Sequence, residues 1–324
     1  MELNIIWFIL IIVLLIGYAV LDGFDLGMGV LYLTHNRENS RPLLLKAIAP
    51  FWSGNEVWLV AGGGALFAAF PYAYASIFSG LYIALMLLLV GTIFRGIGLE
   101  FRNKENSIKW QSRWDIAISV SSILILLVFG VAVGNFMQGL PIDALGNIQI
   151  NVLLLFTPFP LIMGLLSVAF FAMHGAIYGA MKTEGDLQAK LIRQAKVLAS
   201  VSIGLFILAF FVFGNYSIVN IIDNVFNVVA LAVLLYLLTK KKCGLSIVIS
   251  GLIALLYIAN IGYTVFPNFV VSTIDTAYNL NIYDASSSQE TLKIMLIIAG
   301  IGVPIVLAYT VFVYRAFRGK VQMD

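Results

Sequence analysis

Apolar runs of about twenty residues recur along this chain, and each is closed by a shorter polar stretch. They lie near residues 5–32, 51–70, 75–99, 114–137, 153–181, 197–213, 221–239, 245–266 and 291–314. Crossing the hydrocarbon layer takes ~20 helical residues, so the pattern predicts nine transmembrane helices. Thr157-Pro158-Phe159-Pro160 opens the fifth run as a non-helical entry that allows its helix to start as late as Pro160. The longest polar connection, Pro267 to Glu290, precedes the ninth run, and Ser287 or Ser288 is placed to cap that helix.

Positive charge divides the connections into two sets. Arg37, Arg41 and Lys46 follow the first run, and five bases between Arg95 and Arg113 follow or end the third. Lys182, Lys190, Arg193 and Lys196 follow the fifth, Lys240, Lys241 and Lys242 the seventh, and Arg315, Arg318 and Lys320 the ninth. The other connections hold none, and only Lys293, just inside the ninth run, falls outside the pattern. Lys and Arg are retained on the cytoplasmic side of short loops, so the alternation predicts an outside N-terminus and a cytoplasmic C-terminus. Merging or deleting one run would break it.

Composition agrees with this class: 61% of residues are hydrophobic and 11% charged, where soluble domains carry about a quarter charged. The expectation is an all-α polytopic protein forming a single integral membrane domain over residues 1–324, with two four-helix bundles and one peripheral helix. A net charge of +3 is too small to suggest a nucleic-acid partner. The opening M-E-L-N is acidic and no A-x-A-like site follows, so no removed signal peptide is expected. Cys243 is the sole cysteine and excludes an intrachain disulfide.

Against this background the ionisable residues inside the runs stand out. Counted from the inner helix ends, Asp25 lies about 12 Å deep, Asp22 about 16 Å, Glu56 about 9 Å and His174 about 12 Å. Four titratable groups from three helices thus share a layer in the cytoplasmic half of the membrane. A charged carboxylate there costs roughly 2.5–3.5 kcal/mol, so these groups are expected to face protein or water. Each alone is as readily structural, paired with another of them, with Arg95 or with backbone exposed by the glycines; together they make a candidate proton path of Asp22, Asp25, Ser53, Glu56 and His174. Trp52 and Asn55 offer polar support beside Glu56, and Arg95 and Glu100 at the inner end of the third helix read as a headgroup-facing pair. Gly23 and Gly27 form a G-x-x-x-G step suited to close helix packing. Two histidines, one in a loop, give no pair of axial haem ligands, and no cluster suggests a metal.

Several stretches then carry a resemblance. They are G-Y-A-V-L-D-G-F-D-L-G-M-G from Gly17, P-F-W-S-G-N-E-V-W from Pro50, F-R-G-I-G-L-E-F-R-N-K from Phe94, W-D-I-A, G-N-F-M-Q-G-L-P, M-H-G-A-I-Y and Y-D-A-S-S-S-Q-E-T-L. In this order and over essentially the whole chain, they resemble subunit II of the cytochrome bd quinol oxidases. The resemblance implies a heterodimer with a larger subunit I that carries haem b and haem d, in the cytoplasmic membrane of a bacterium or archaeon. The complex would oxidise quinol and reduce dioxygen to water electrogenically, drawing protons from the cytoplasm, with this chain not catalytic alone. It also implies contact with membrane lipids and quinone, a structural quinone included, and room for a small single-helix accessory subunit. Two departures matter: the family often has W-D-G-N where this chain has Trp52-Ser53-Gly54-Asn55, and the turn G-N-Y-S-I-V-N is short. Either Glu56 takes over from the missing carboxylate or the route runs differently. Intramembrane acids and glycine-broken helices equally suit a secondary transporter, which solute flux by this chain alone would reveal.

Overall fold

The computed structural model describes residues 2–322. Eight helices are long and apolar enough to cross a membrane: α1 (Leu3–Leu31), α5 (Tyr82–Phe101), α6 (Ile108–Gln138), α7 (Pro158–Lys182), α8 (Gly185–Phe213), α9 (Ile218–Thr239), α10 (Cys243–Val265) and α11 (Gln289–Ala316). A ninth span is supplied by α3 (Trp52–Ala69) if it is taken with α4 (Pro71–Gly80), bent from it by 120°. A short helix α2 (Arg41–Ile48) precedes α3. Among the described residues the fold is all-α apart from a small antiparallel pair, β1 (Asn268–Val270) and β2 (Leu280–Asn281).

Where helix bounds differ from the apolar windows, local chemistry gives the reason. The third window, drawn from residue 75, is two helices. Pro71 restricts Phe70 to non-helical dihedrals (φ −137°, ψ 63°) and seats itself in the first turn of α4, while Leu81 (φ −100°, ψ 24°) breaks the chain again before α5. Helix α7 starts at Pro158, two residues before Pro160, because proline suits the first helical turn. Helix α8 starts at Gly185, twelve residues before its window, since its first turns are polar and project beyond the apolar layer.

Helix α1 is the hub. It packs on α3 and α6 on one side and on α7 and α10 on another, while α5–α6–α7–α8–α9–α10 follow one another as neighbours. Helices α5 to α10 therefore form a continuous series of which α6, α7 and α10 rest on α1. Glycine makes the closest contact: a Cβ on Gly27 would lie 1.7 Å from the Phe171 carbonyl oxygen, and one on Gly175 2.3 Å from the Met28 nitrogen. Helix α11 lies at the periphery against α1 and α3, with Leu292 its one buried residue.

At the end of the molecule away from the basic loops, the connection to α11 is pinned to the bundle. Trp7 Nε1 donates to the Leu292 carbonyl at 2.9 Å, Asn4 Nδ2 to the Ile282 carbonyl at 3.2 Å, and the Ser287 amide to the Ala69 carbonyl at 2.8 Å. Ser288 is the residue that caps α11, accepting from the Thr291 amide, and the Ser287 hydroxyl instead donates to the Ala68 carbonyl.

Candidate functional site

Asp22 and Asp25 are three residues apart and so lie on one side of α1. That side faces α3 and α5, and both carboxylates are fully buried. Arg95 reaches across from α5 and grips Asp22 at two points, Nη2 to Oδ1 at 2.8 Å and Nη1 to Oδ2 at 3.0 Å. The pair is planar-to-planar, the geometry in which guanidinium and carboxylate interact most strongly. Taking both charges out of water is costly, and only a matched partner and complete hydrogen bonding make that tolerable.

Asp25 is held differently. Its Oδ2 accepts from Asn55 Nδ2 at 2.8 Å, while its Oδ1 is buried with no hydrogen-bond partner. Asn55 is oriented by its other bonds: Nδ2 also donates to the Leu21 carbonyl at 3.0 Å, and Oδ1 accepts from the Tyr314 hydroxyl of α11 at 3.3 Å. Aromatic rings close the basic-loop side of this group. Phe24 stacks on Tyr178 at 3.9 Å between centroids, and Phe51 packs on Tyr314 at 4.6 Å. Beneath them the Lys182 ammonium lies 5.5 Å from the Phe51 ring and donates to the Phe317 carbonyl at 2.6 Å.

Glu56 follows Asn55 on α3 and is half-buried, without a hydrogen bond or ion pair among the described residues. Arg95 and Asp22 are the charges that act on it. Ser53 is exposed, on the outward stripe of α3 that also carries Val57 and Val60. Trp52 is half-buried and lays its ring against Gly96 of α5, and Trp58 fills the space left by Gly17 of α1. Asp22, Asp25, Asn55 and Arg95 thus form one buried cluster, with Glu56 at its edge and Ser53 outside it.

Two expectations are corrected. Arg95 does not pair with Glu100, which is exposed. Five residues turn a helix by about 140°, so the two side chains leave α5 on different faces. His174 shares the layer in depth but not in contact. It sits between α1, α7 and α10, its Nδ1 2.7 Å from Ser250 Oγ and its Nε2 3.1 Å from the Val20 carbonyl. A carbonyl only accepts, so Nε2 carries a proton toward Val20, while the Ser250 hydroxyl lies between Nδ1 and the Ile247 carbonyl, 2.9 Å away. Both ring nitrogens are then occupied, and no link to Asp25 runs through them.

Other buried groups escaped the sequence reading. Asp115 of α6 is fully buried and holds Arg41 at 2.7 Å and Arg102 at 2.5 Å. A helix start at Ile108 instead of residue 114 would have placed it about 10 Å inside and flagged it. In the loop after α1, His35 meets Gln194 Oε1 of α8 at 2.9 Å. Burial, reinforced by the charges of Lys190 and Arg41 and opposed by Gln194, pushes its pKa down to about 4. Tyr314 had no signal at all, since a tyrosine at the end of a span ordinarily marks the membrane interface.

Residues 3–317 match the sequence pattern of the family described as cytochrome bd terminal oxidase subunit II. The chain belongs to that family. It is 36% identical to the cytochrome bd-I ubiquinol oxidase subunit 2 of Escherichia coli K12, over 99% of this chain and 96% of the relative. It is 34% identical to the cytochrome bd ubiquinol oxidase subunit 2 of Bacillus subtilis, over 99% and 97% of the two chains. Among solved structures, a chain of the bd oxidase from Geobacillus thermodenitrificans superimposes with a TM-score of 0.80 at 16% identity, covering 98% of this chain and 99% of that one. That likeness concerns the fold.

A cytochrome implies haem, and an axial histidine must turn a free ring nitrogen toward the iron. His174 has both nitrogens engaged by Ser250 and Val20, and His35 lies in a loop against Gln194. His35 Nδ1 is buried without a partner but lies in the loop after α1, away from His174, so the two imidazoles as placed do not form a pair of axial haem ligands.

Proposed function

We propose that this chain is the haem-free subunit of a bacterial membrane complex that oxidises quinol and reduces dioxygen to water. Its partner is a larger subunit I holding haems b and d, and it contributes part of the proton supply from the cytoplasmic side. The basic loops lie on that side, with the N-terminus outside.

The observation that carries this reading is Asp25: a fully buried carboxylate with one oxygen bonded to Asn55 and the other unpartnered. A structural acid in lipid is matched by donors on both oxygens, as Asp22 is by Arg95. An open oxygen is a place for a proton or a water to sit. The Asp22–Arg95 pair is matched on both oxygens and places a guanidinium and a carboxylate beside Asp25. Glu56, half-buried and unbonded, stands between this cluster and the exposed face of α3. The route proposed therefore enters by the Tyr314–Asn55 side, rests at Asp25 and leaves by Glu56 toward subunit I. The apolar outward faces of α3 and α5, including Val57, Val60, Ile93 and Phe94, suit burial against that partner. Ser53 is not needed for the first steps, which compensates in part for the carboxylate absent at its position. His174 is left as a helix-packing residue.

Asp25→Asn and Glu56→Gln, each introduced into the assembled complex, test this. Oxygen consumption is expected to fall while the haem optical spectrum and subunit ratio stay normal. Wild-type consumption in both single variants and in the double variant would remove the proton role and leave a scaffold.

A further inference from the structure

A groove runs along the outer surface between α9 and α10, with a volume of about 610 Å³. Its walls are entirely apolar: Val225, Phe226, Val229 and Val233 from α9 face Ile249 and Leu252 from α10. On α9 the stripe continues through Tyr236 to Lys240, since Val229, Val233, Tyr236 and Lys240 follow at the spacing of one helix face. The Lys240 ammonium lies 5.7 Å from the centroid of the Tyr236 ring, so the aromatic ring joins the apolar stripe to the charge above it. Lys241 and Lys242 follow in the α9–α10 turn, and all three lysines are exposed. None has a carboxylate partner among the described residues.

We propose that this groove binds one anionic phospholipid, with an acyl chain along Val229 and Val233 and the phosphate on Lys240, Lys241 and Lys242. The groove begins about 10 Å below Lys240 and its near half is within reach of a tail whose headgroup rests on the lysines. Unpaired lysines at the membrane surface attract an anionic headgroup, and the apolar wall adds the hydrophobic contact that surface charge alone lacks. A zwitterionic lipid would gain the wall but little from the charges. A free phosphate would gain the charges but nothing from the wall.

The test uses the complex purified in mild detergent through this chain. Bound lipid is counted by native mass spectrometry after incubation with phosphatidylglycerol or with phosphatidylcholine of the same acyl chains. The wild-type complex is expected to retain one phosphatidylglycerol that Lys240→Gln/Lys241→Gln/Lys242→Gln loses, with affinity reduced about tenfold or more. Phosphatidylcholine retention should be the same in both. Val229→Trp, which fills the groove and keeps the lysines, should also lose the phosphatidylglycerol. The lysine variant is a surface change, so it remains informative if the tryptophan variant misfolds. Equal phosphatidylglycerol retention in wild type and the lysine variant would overturn the proposal. So would full displacement by inorganic phosphate, or a quinone found in the groove in place of the lipid.

Discussion

Asp22 of α1 and Arg95 of α5 meet through two hydrogen bonds of 2.8 and 3.0 Å, with at most 1% of either residue exposed. This pair ties the third span to the hub helix in a region where few other side chains bridge them. Removing one partner strands the other charge in the membrane interior, which costs more than the pair itself contributes. Arg95→Leu is therefore expected to lower stability by roughly 3–5 kcal/mol, and Asp22→Leu/Arg95→Leu by less than either single change. Thermal melts of the purified complex check this; a double variant less stable than both singles would count against it. Lysine at position 95 should rescue poorly, because it cannot reproduce the two-point contact.

The contact between Gly27 and Gly175 predicts a different failure. A Cβ at either position meets backbone atoms of the facing helix, which cannot move aside as a flexible side chain would. Gly27→Ala and Gly175→Ala should each force α1 and α7 apart, at a cost of at least about 1–3 kcal/mol. Gly204→Ala on α8 and Gly244→Ala on α10 meet nothing within 4 Å and serve as controls. The expected result is loss of assembled complex for the first two and normal yield for the controls.

What could be read from the sequence, and what could not, follows from the kind of physics involved. Asp22, Asp25 and Glu56 were visible because a carboxylate in an apolar run is costly wherever it points. Their partners were not, because pairing depends on how each helix is rotated about its axis, and hydropathy carries no such information. Arg95 was therefore open to the intramembrane acids as well as to Glu100, its neighbour in sequence, and the rotation of α1 and α5 gives it to Asp22. His174 lies among α1, α7 and α10, apart from the acids, for the same reason: equal depth does not mean a shared face. The break of the third window at Leu81 was missed because apolar residues continue across it. The polar start of α8 was missed because a hydropathy window cannot see a helix outside the bilayer.

His35 gives a pH dependence with a definite sign. Its pKa in the folded chain, about 4, lies below the ordinary value of about 6.5. Between those values the unfolded chain binds a proton that the folded chain does not, so stability is full above about pH 6.5 and declines as pH falls toward 4. Lys190 and Arg41 both oppose protonation, and the contact with Gln194 supports it only weakly. Melts of the complex at a series of pH values should show a steeper loss on acidification for wild type than for His35→Gln. Identical slopes would mean that His35 is protonated as readily when folded as when unfolded.

Tyr314 offers the sharpest separation of function from packing. Its hydroxyl reaches only Asn55 Oδ1, at 3.3 Å, a long bond worth about 1 kcal/mol or less, and its ring packs against Phe51 whether or not the hydroxyl is there. Tyr314→Phe should therefore lower the melting temperature by only a few degrees. If protons enter along Tyr314, Asn55 and Asp25, the same variant should slow oxygen consumption by more than that small loss explains and raise the ratio of rates in H2O and D2O, because proton delivery becomes limiting. A normal rate with an unchanged solvent isotope ratio would place the entrance elsewhere, and the group nearest to hand would then be the Lys182 side chain beneath the Phe51 and Tyr178 rings. Asn55→Asp tests the step the two entrances share: it keeps an acceptor for Tyr314 but removes the amide that orients Asp25, so it should impair turnover by either entrance if the route passes through Asp25.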